Sequence, residues 1–365
     1  MLGMLLGPGK RTVTNLIRAQ RYPQFSAAWP LEDGATRMVP IDFVHAPSPV
    51  KPGKKADPAQ LKDYREALKQ QNLNRRALER IETLRHNVPE GRRLIIVGDG
   101  SFTNKTFMRG KPEGTTYIGR ARKDAVLHYL PEGPPPATGR RPSYGKRAPT
   151  PEELRQDESV PWQEIEAFAS GKRHKFRIKT LGRVLWRKAG ADLSLRLVVI
   201  APIGYRLRKG SRMLYRQPAY LLCTDPDLPL EELLQDYLWR WGIEVNFREQ
   251  KTLLGTGEAQ VRTEPSNQHL PAVSVAAYAM LWTATLKAYC GGLERPCWKP
   301  PKWRKQPESD RQLPSTGELL RLLRIELWAG AMRPDTFYDF VTHRPPDLNV
   351  EKLTPNLPSI LFDAA

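Results

Sequence analysis

The sequence predicts an α/β fold, a mixed sheet with flanking helices, and three observations carry that prediction. Residues 93–97 read Arg-Leu-Ile-Ile-Val, and after the arginine they form a short run of apolar, largely β-branched side chains that is typical of a buried strand. Residues 58–87 before it are dense in Leu, Ala, Arg, Glu and Gln, which favours helix. Strand-like and helix-like stretches then continue to alternate, and alternating elements pack as helices against a sheet.

The first 57 residues predict a short helix and a β-hairpin. Residues 11–19 are compatible with a helix that is too short to fold alone. Residues 25–31 and 37–44 have the composition of strands, and the Glu-Asp-Gly sequence at 32–34 predicts the turn between them. Residues 45–57 are rich in Pro and Lys and predict an exposed loop or linker.

The middle of the chain predicts further strands. The buried strand at 93–97 ends in Gly-Asp-Gly-Ser at 98–101, and a helix-compatible segment follows. Residues 115–118 predict another strand, while residues 130–155, rich in Pro, Gly and basic side chains, predict an irregular loop. Between about 174 and 224 the pattern predicts only strands, at 175–179, 195–200 and 217–223.

The remainder of the chain predicts helices. Residues 225–229 introduce a long helix, and an apolar helix follows at 271–288. Residues 291–314 form a linker rich in Pro, Lys and Trp. The Ser-Thr-Gly-Glu sequence at 315–318 has the spacing of a capping box, and it predicts a last helix that extends to about residue 328.

Charge and cysteine content narrow the class of protein. The chain has 58 Lys and Arg against 39 Asp and Glu, a net charge of +19. Such an excess favours a polyanionic partner, because Lys and Arg displace counterions from phosphate backbones; a basic surface without a partner is the alternative. The cysteines, Cys223, Cys290 and Cys297, form no CxxC pair and predict a reducing cytoplasm. The apolar run at 271–286 is too short for a membrane span.

Four polar residues near position 240 recur at helical spacing. Tyr237, Arg240, Glu244 and Lys251 lie at offsets of 0, 3, 7 and 14. On one helix these offsets project onto a face about 60° wide. A carboxylate between two cations and a phenol is suited to holding a metal-bound phosphate.

An ordinary solvated helix face is the alternative for this stripe. Arg240 and Glu244 are four residues apart and could simply form a surface ion pair. The remaining faces argue against that alternative, because their large apolar side chains predict a largely enclosed helix. These side chains are Trp239, Trp241, Ile243 and Phe247.

Asp99 is the second candidate for catalysis. It follows the predicted buried strand and lies between Gly98 and Gly100. Functional groups of α/β proteins commonly lie at the carboxyl ends of strands, and flanking glycines permit close approach of a ligand. A turn or helix-cap aspartate is the alternative. Asp99 and Glu244 together would supply the hard oxygen ligands that Mg²⁺ prefers in two-metal phosphodiester chemistry.

The spacing Tyr237-x2-Arg240-x3-Glu244-x6-Lys251 resembles the Y-R-E-K signature of bacterial insertion-sequence transposases of the DDE type. Val-Gly-Asp-Gly at 97–100 is similar to the strand that carries their second catalytic aspartate, and the β-rich stretch after it is similar to their insertion. The resemblance covers roughly residues 24–290. It implies an RNase H-like core that cuts DNA at transposon ends and joins the freed 3′-hydroxyl to target DNA, with Mg²⁺ or Mn²⁺.

The resemblance also implies a domain organisation and partners. The expected parts are an N-terminal helical remnant at 1–23, a core at 24–290 with a β-rich insertion at about 125–228, and a tail at 291–365. Asp99 and Glu244 are expected to be catalytic and metal-binding. Tyr237, Arg240 and Lys251 are expected to contact DNA phosphates. The expected partner is double-stranded DNA, at the nucleoid, with at least a homodimer when two ends are synapsed.

The chain departs from the family at the first catalytic aspartate. In the family this aspartate lies on the opening strand of the core. In this chain the elements before Asp99 are a strand, a turn, a strand, a long helix and a strand. They resemble the family's core from its second strand onward, so the opening strand has no counterpart. Asp33 is explained by turn chemistry, and Asp42 lies on a strand at the wrong ordinal place. The chain is therefore predicted to bind DNA but to transpose poorly or not at all. The alternatives are a non-catalytic DNA-binding transposase remnant and a nuclease without strand transfer.

Two basic segments are candidates for DNA contact. No acidic residue lies between Glu166 and Asp192. Within that segment Lys175, Arg177 and Lys179 alternate along a predicted strand, so they should share one face and contact phosphates. A solvated strand face is the alternative. The second candidate segment has interleaved cations and tryptophans, namely Trp298, Lys299, Lys302, Trp303, Arg304 and Lys305, and a basic linker is the alternative there.

Overall fold

The structure is a computed structural model of the 365-residue chain. It describes residues 20–21, 23–31, 34–44, 46–47, 49, 51–53, 56–133, 142–206, 210–258, 261, 263–290 and 313–329. Several predictions fall outside these residues: the short helix at 11–19, the turn residue Asp33 and the basic patch at 298–305.

The fold is α/β, as the sequence predicts. The strands of the described residues are β1 Gln20–Arg21, β2 Gln24–Pro30, β3 Thr36–Phe43, β4 Ala46–Pro47, β5 Leu94–Gly98, β6 Thr115–Arg120, β7 Leu127–His128, β8 Gln163–Ala169, β9 Lys172–Trp186, β10 Gly190–Ile200, β11 Gly204–Tyr205, β12 Leu214–Tyr215 and β13 Ala219–Cys223. The helices are α1 Pro58–Gln70, α2 Leu73–Asn87, α3 Lys105–Gly110, α4 Pro151–Gln156, α5 Leu230–Trp239, α6 Trp241–Leu254, α7 Glu264–Cys290 and α8 Thr316–Ala329.

The chain divides into two compact units. The N-terminal and C-terminal unit comprises residues 1–31, 36–45 and 242–365, and the central unit comprises residues 32–35 and 46–241. The central unit contains the large sheet, and the other unit contains the β2–β3 hairpin and the last helices.

The central unit is built on a mixed seven-stranded sheet. Its strands follow the order β5-β6-β13-β10-β9-β7, and β8 pairs with β9 beside this path. The β5–β6 pair is parallel, and the other pairs are antiparallel. Helix α5 packs on this sheet through Leu233 and Leu234, which are buried with Ile178, Val198 and Leu221. The Gln235 amide also bonds both backbone groups of Phe168, which fixes α5 to the edge of β8.

The other unit joins a hairpin to helices. Strands β2 and β3 pair antiparallel in a sheet of their own. Helix α7 packs on β3, and Val39, Leu254, Tyr278 and Trp282 are buried in one core. Gly242 lets α6 approach β3 closely, because a Cβ at this position would lie 2.4 Å from the Met38 side chain.

Local sequence signals predict most elements correctly. The hairpin strands, strand β5 and the strands of the β-rich stretch are confirmed. The predicted burial of β5 is wrong, because all of its residues are only partly buried. The capping box of α8 is confirmed as well, because Glu318 accepts from the Ser315 backbone N–H at 2.6 Å and Ser315 Oγ accepts from the Glu318 N–H at 3.3 Å.

Two predicted elements are wrong in detail. The single helix at 58–87 is two helices, because Asn72 begins α2 by accepting the Asn74 N–H with its side chain. The segment 130–155 is not wholly irregular, because Thr150 and Glu153 form a capping box that starts α4. Both helices begin at a capping side chain, Asn72 for α2 and Thr150 for α4. The composition around them predicts a continuous helix in the first case and an irregular loop in the second.

Candidate functional site

Asp99 lies in an exposed turn directly after β5. Its Oδ1 atom accepts two hydrogen bonds from Ser101, from the backbone N–H at 2.8 Å and from Oγ at 2.6 Å. This is the turn chemistry that aspartate commonly performs. The carboxylate therefore has one oxygen engaged by the turn, while the group as a whole faces solvent.

The glycines around Asp99 make room for a tyrosine. A Cβ at Gly98 would lie 2.6 Å from Tyr117 Oη, and one at Gly119 would lie 2.4 Å from both Thr103 Oγ1 and Tyr117 Cε1. The phenol donates to the Asp99 carbonyl at 3.4 Å, and burial raises its pKa. The glycine at position 98 suggested space for a ligand, but the Tyr117 side chain fills that space. Its hydroxyl supports the turn through the hydrogen bond to the Asp99 carbonyl.

Helix α6 places Glu244 and Lys251 two turns apart on one exposed face. The opposite face is buried and includes Asn246, Gln250 and Leu254. Glu244 is in the first turn, where the helix dipole favours a carboxylate. This half of the predicted stripe is a carboxylate and an ammonium group presented to solvent by one helix.

Tyr237 and Arg240 belong to the end of α5. Tyr237 is half-buried against the core of the central unit. The Arg240 guanidinium carbon lies 5.8 Å from the centre of the Tyr237 ring. Arg240 ends α5, so the predicted single helix is two helices with Arg240 at their junction. A common face for all four residues of the stripe stays a prediction.

The prediction that the helix is largely enclosed is wrong. Trp241 is 57% exposed and Phe247 is 40% exposed. Their aromatic character suggested burial, but Phe247 lies on the same side of α6 as Glu244 and Lys251.

A largely buried polar network, which no local sequence pattern indicates, holds α6 in its unit. Oε2 of Glu249 accepts from Arg37 on β3, from Tyr278 Oη on α7 at 2.5 Å and from Thr316 Oγ1 on α8 at 2.6 Å. The Arg37 guanidinium also lies 3.5 Å from the Trp282 ring centre. Burial raises the pKa of the Tyr278 phenol. One carboxylate therefore ties four elements together.

A second tie connects α6 to β3. The Asn246 side chain donates to the Met38 carbonyl at 2.9 Å, and its Oδ1 lies 3.1 Å from Tyr278 Oη, whose single proton is shared with the shorter bond to Glu249. Because these contacts lie on the face opposite Glu244, they fix which side of α6 is exposed. No spacing in the sequence indicates the network, since its members come from β3, α6, α7 and α8.

The predicted basic face of β9 is only partly present. Lys175 and Arg177 are exposed, but Lys179 is 2% exposed. The Lys179 ammonium donates to the Arg155 carbonyl at 3.2 Å and to the Asp157 carbonyl, and it lies 4.7 Å from the Trp162 ring centre. The prediction that Lys179 shares an exposed face is wrong. Its ammonium group is buried and caps the carbonyls at the C-terminal end of α4.

Strand β8 brings acidic side chains to the same region. Glu164 pairs with Arg177 in register, and Glu166 pairs with Lys175. Lys175 Nζ also lies 3.9 Å from Glu164 Oε2. The segment is free of acids along the chain, but antiparallel pairing places two glutamates beside its cations. Its positive potential is therefore weaker than the sequence suggests.

Replacing Lys179 with methionine is expected to lower the free energy of unfolding by about 1–3 kcal/mol, because two partly buried hydrogen bonds to carbonyls at the end of α4 are lost. The matched change Lys175→Met, on the same strand but exposed, is expected to cost less than about 0.5 kcal/mol. Urea unfolding of both variants measures the difference. Equal stabilities would contradict the structural role of Lys179.

Asp42 is the described candidate for the missing first aspartate. It lies on β3, and its Oδ1 accepts the neighbouring Phe43 N–H at 2.9 Å. Its strand pairs with β2 and belongs to the separate two-stranded sheet, not to the sheet that leads to Asp99.

The described residues show no metal-binding cluster and no membrane-spanning helix, and comparisons with known proteins show no family. Within the described part of the chain, no group of three His, Cys, Asp or Glu side chains is placed to hold a metal ion. None of the helices in that same part combines the length and the apolar character needed to cross a bilayer. Neither the models of known protein families nor the curated proteins give a match to the chain.

Proposed function

We propose that the chain acts on double-stranded DNA as a transposase of the DDE type, with Asp99 and Glu244 as its metal-binding carboxylates. The exposed face of α6 carries this proposal, because it presents Glu244 and Lys251 together as the Y-R-E-K spacing requires. Lys251 would grip a phosphate as a point charge, and Arg240 would do so through its planar guanidinium.

The chemistry of the donor set suits Mg²⁺ or Mn²⁺. Both ions prefer carboxylate oxygens, and both candidate carboxylates are exposed. The Ser101 bonds engage Oδ1 of Asp99, so Oδ2 is the atom that would meet a cation. A bound ion would polarise the phosphodiester and activate a water molecule or a 3′-hydroxyl.

The position of Asp99 supports an RNase H-like interpretation of the core. It follows the edge strand β5, which runs parallel to β6 in a mixed sheet. In α/β sheets of this kind, ligands bind outside the carboxyl ends of the strands. The net charge of +19 supports a DNA partner, and synapsis of two DNA ends at the nucleoid would require at least a homodimer.

We further propose that transposition by this chain is weak. Two-metal chemistry uses shared and terminal carboxylates, and Asp42 sits on the separate hairpin sheet. A non-catalytic DNA-binding remnant is the second candidate. The observation that favours it is the turn around Asp99, which gives this carboxylate a local structural role.

An electrophoretic shift and an excision assay test the proposal. The full chain is expected to shift duplex DNA taken from the flanks of its gene, because its cations release counterions. A donor plasmid bearing the same flanks is expected to show little excision with Mg²⁺.

Each assay has an outcome that would contradict the account. Failure to shift any duplex at low salt would contradict action on DNA. Robust excision would contradict the loss of the first aspartate, and it would establish the transposase activity if Glu244→Gln abolished it.

A further inference from the structure

An isolated hairpin on the central unit exposes large apolar side chains. Strands β11 and β12 pair only with each other in the described residues, in the register Gly204↔Tyr215 and Tyr205↔Leu214. Tyr215 is 69% exposed, Met213 is 41% exposed and Tyr205 is 37% exposed. A two-stranded hairpin that shows this much apolar surface is typical of a contact site for a partner.

The backbone of the hairpin arranges these side chains on two faces. A Cβ at Gly204 would lie 3.0 Å from Met213 Sδ and 3.4 Å from Tyr215 Cε1, so both side chains lie against the bare glycine backbone. On the other face the Arg216 guanidinium carbon lies 5.5 Å from the Tyr205 ring centre. Each face therefore carries one tyrosine ring beside a flexible or cationic side chain.

The charge around the hairpin is of one sign. Residues 193–224 contain no Asp or Glu and six Lys and Arg. Arg206, Arg212 and Arg216 are exposed on or beside the two strands. The contrast with β8–β9 is direct, because there two glutamates face the cations. The charge therefore favours a partner that carries negative charge along its contact surface.

We infer that the β11–β12 hairpin binds unpaired nucleotides of a DNA strand, with Tyr215 and Tyr205 stacking on bases and the arginines contacting phosphates. Exposed aromatic rings interleaved with cations are the combination that binds single strands, because every base offers a flat face for stacking. The bases of an intact duplex are stacked on one another, so their faces are closed to the tyrosines. An acidic protein surface would satisfy the arginines but offers no series of flat rings.

This inference goes beyond the proposed function and does not rest on Asp99 or Glu244. It needs neither a metal ion nor bond cleavage, so it is tested in the presence of EDTA. A chain that binds single strands through the hairpin but shifts no duplex DNA would support the inference and contradict the proposed function.

Fluorescence anisotropy with a labelled thymidine oligonucleotide of about 15 nucleotides tests the hairpin, with a duplex of equal length for comparison. Tyr215→Ala in the full chain is expected to weaken single-strand binding about tenfold and duplex binding less than about twofold, because stacking on one base is lost. Tyr215→Phe keeps the ring and is expected to bind as the wild type does. Tyr129→Ala removes a tyrosine that is 36% exposed outside the hairpin, and it is expected to leave binding unchanged.

Four results would overturn the inference. The first is wild-type affinity of Tyr215→Ala for the single strand, and the second is an equal loss on the duplex. The third is a loss in Tyr215→Phe as large as that in Tyr215→Ala, since it would assign binding to the hydroxyl. The fourth is a wild-type chain that sediments as an oligomer, together with a Tyr215→Ala variant that dissociates but keeps its single-strand affinity. That result would assign the hairpin to a contact between protein chains. Circular dichroism confirms that each variant is folded.

Discussion

Replacing Glu249 with alanine is expected to lower the free energy of unfolding by about 3–5 kcal/mol. Its carboxylate accepts from Arg37, Tyr278 and Thr316, and both members of the ion pair are largely buried. Removing one partner of a buried ion pair leaves an uncompensated charge, which costs far more than the pair contributed. The measurement is the shift of the urea unfolding midpoint.

A matched change on the same helix separates this effect from a general weakness of α6. Glu244→Ala alters an exposed carboxylate of the same type, and it is expected to cost less than about 1 kcal/mol. Arg37→Ala is expected to destabilise about as much as Glu249→Ala, because it breaks the same network. If Glu249→Ala and Glu244→Ala were equally stable, the network would not be what holds α6.

Replacing Asp99 with asparagine is expected to weaken metal binding and to leave the turn intact. The asparagine side chain keeps the Oδ1 acceptor that receives both Ser101 bonds, so the backbone after β5 should not change. The substitution removes only the charge and one oxygen ligand, which Mg²⁺ and Mn²⁺ require. Duplex DNA affinity, measured by electrophoretic shift, is expected to stay within about threefold, because the cations are untouched.

Thermal unfolding supplies the control for this variant. Asp99→Asn is expected to unfold within a few degrees of the wild type, because the Tyr117 phenol still supports the turn through the Asp99 carbonyl. A large loss of stability would mean that the carboxylate charge itself maintains the turn, as the alternative interpretation of Asp99 holds.

The sequence predicted those features that local patterns determine. Strand β5 followed from a short, mostly apolar run. The turn at Asp99 was only the alternative interpretation, because its glycines also favoured close approach of a ligand. The shared face of Glu244 and Lys251 followed from helical spacing alone. These features depend on neighbours a few residues away, so one sequence suffices to predict them.

Features that depend on pairing between distant segments could not be predicted. Arg37 and Glu249 are separated by 212 residues, and nothing in either neighbourhood indicates the other. The burial of Lys179 depends on the end of α4, which delivers two carbonyls to a strand whose own pattern looks exposed. The acids beside Lys175 and Arg177 come from the partner strand β8. The break at Arg240 precedes Gly242, whose close approach to Met38 is a tertiary contact.

Calorimetric titration of Mn²⁺ into the full chain tests most directly the claim that Asp99 and Glu244 are metal-binding carboxylates. The wild type is expected to bind Mn²⁺, and Asp99→Asn and Glu244→Gln are each expected to weaken binding at least about tenfold, because each removes a charged oxygen ligand. Glu231→Gln, an exposed carboxylate change on α5, is expected to bind as the wild type does. Wild-type Mn²⁺ affinity in both Asp99→Asn and Glu244→Gln would contradict the account.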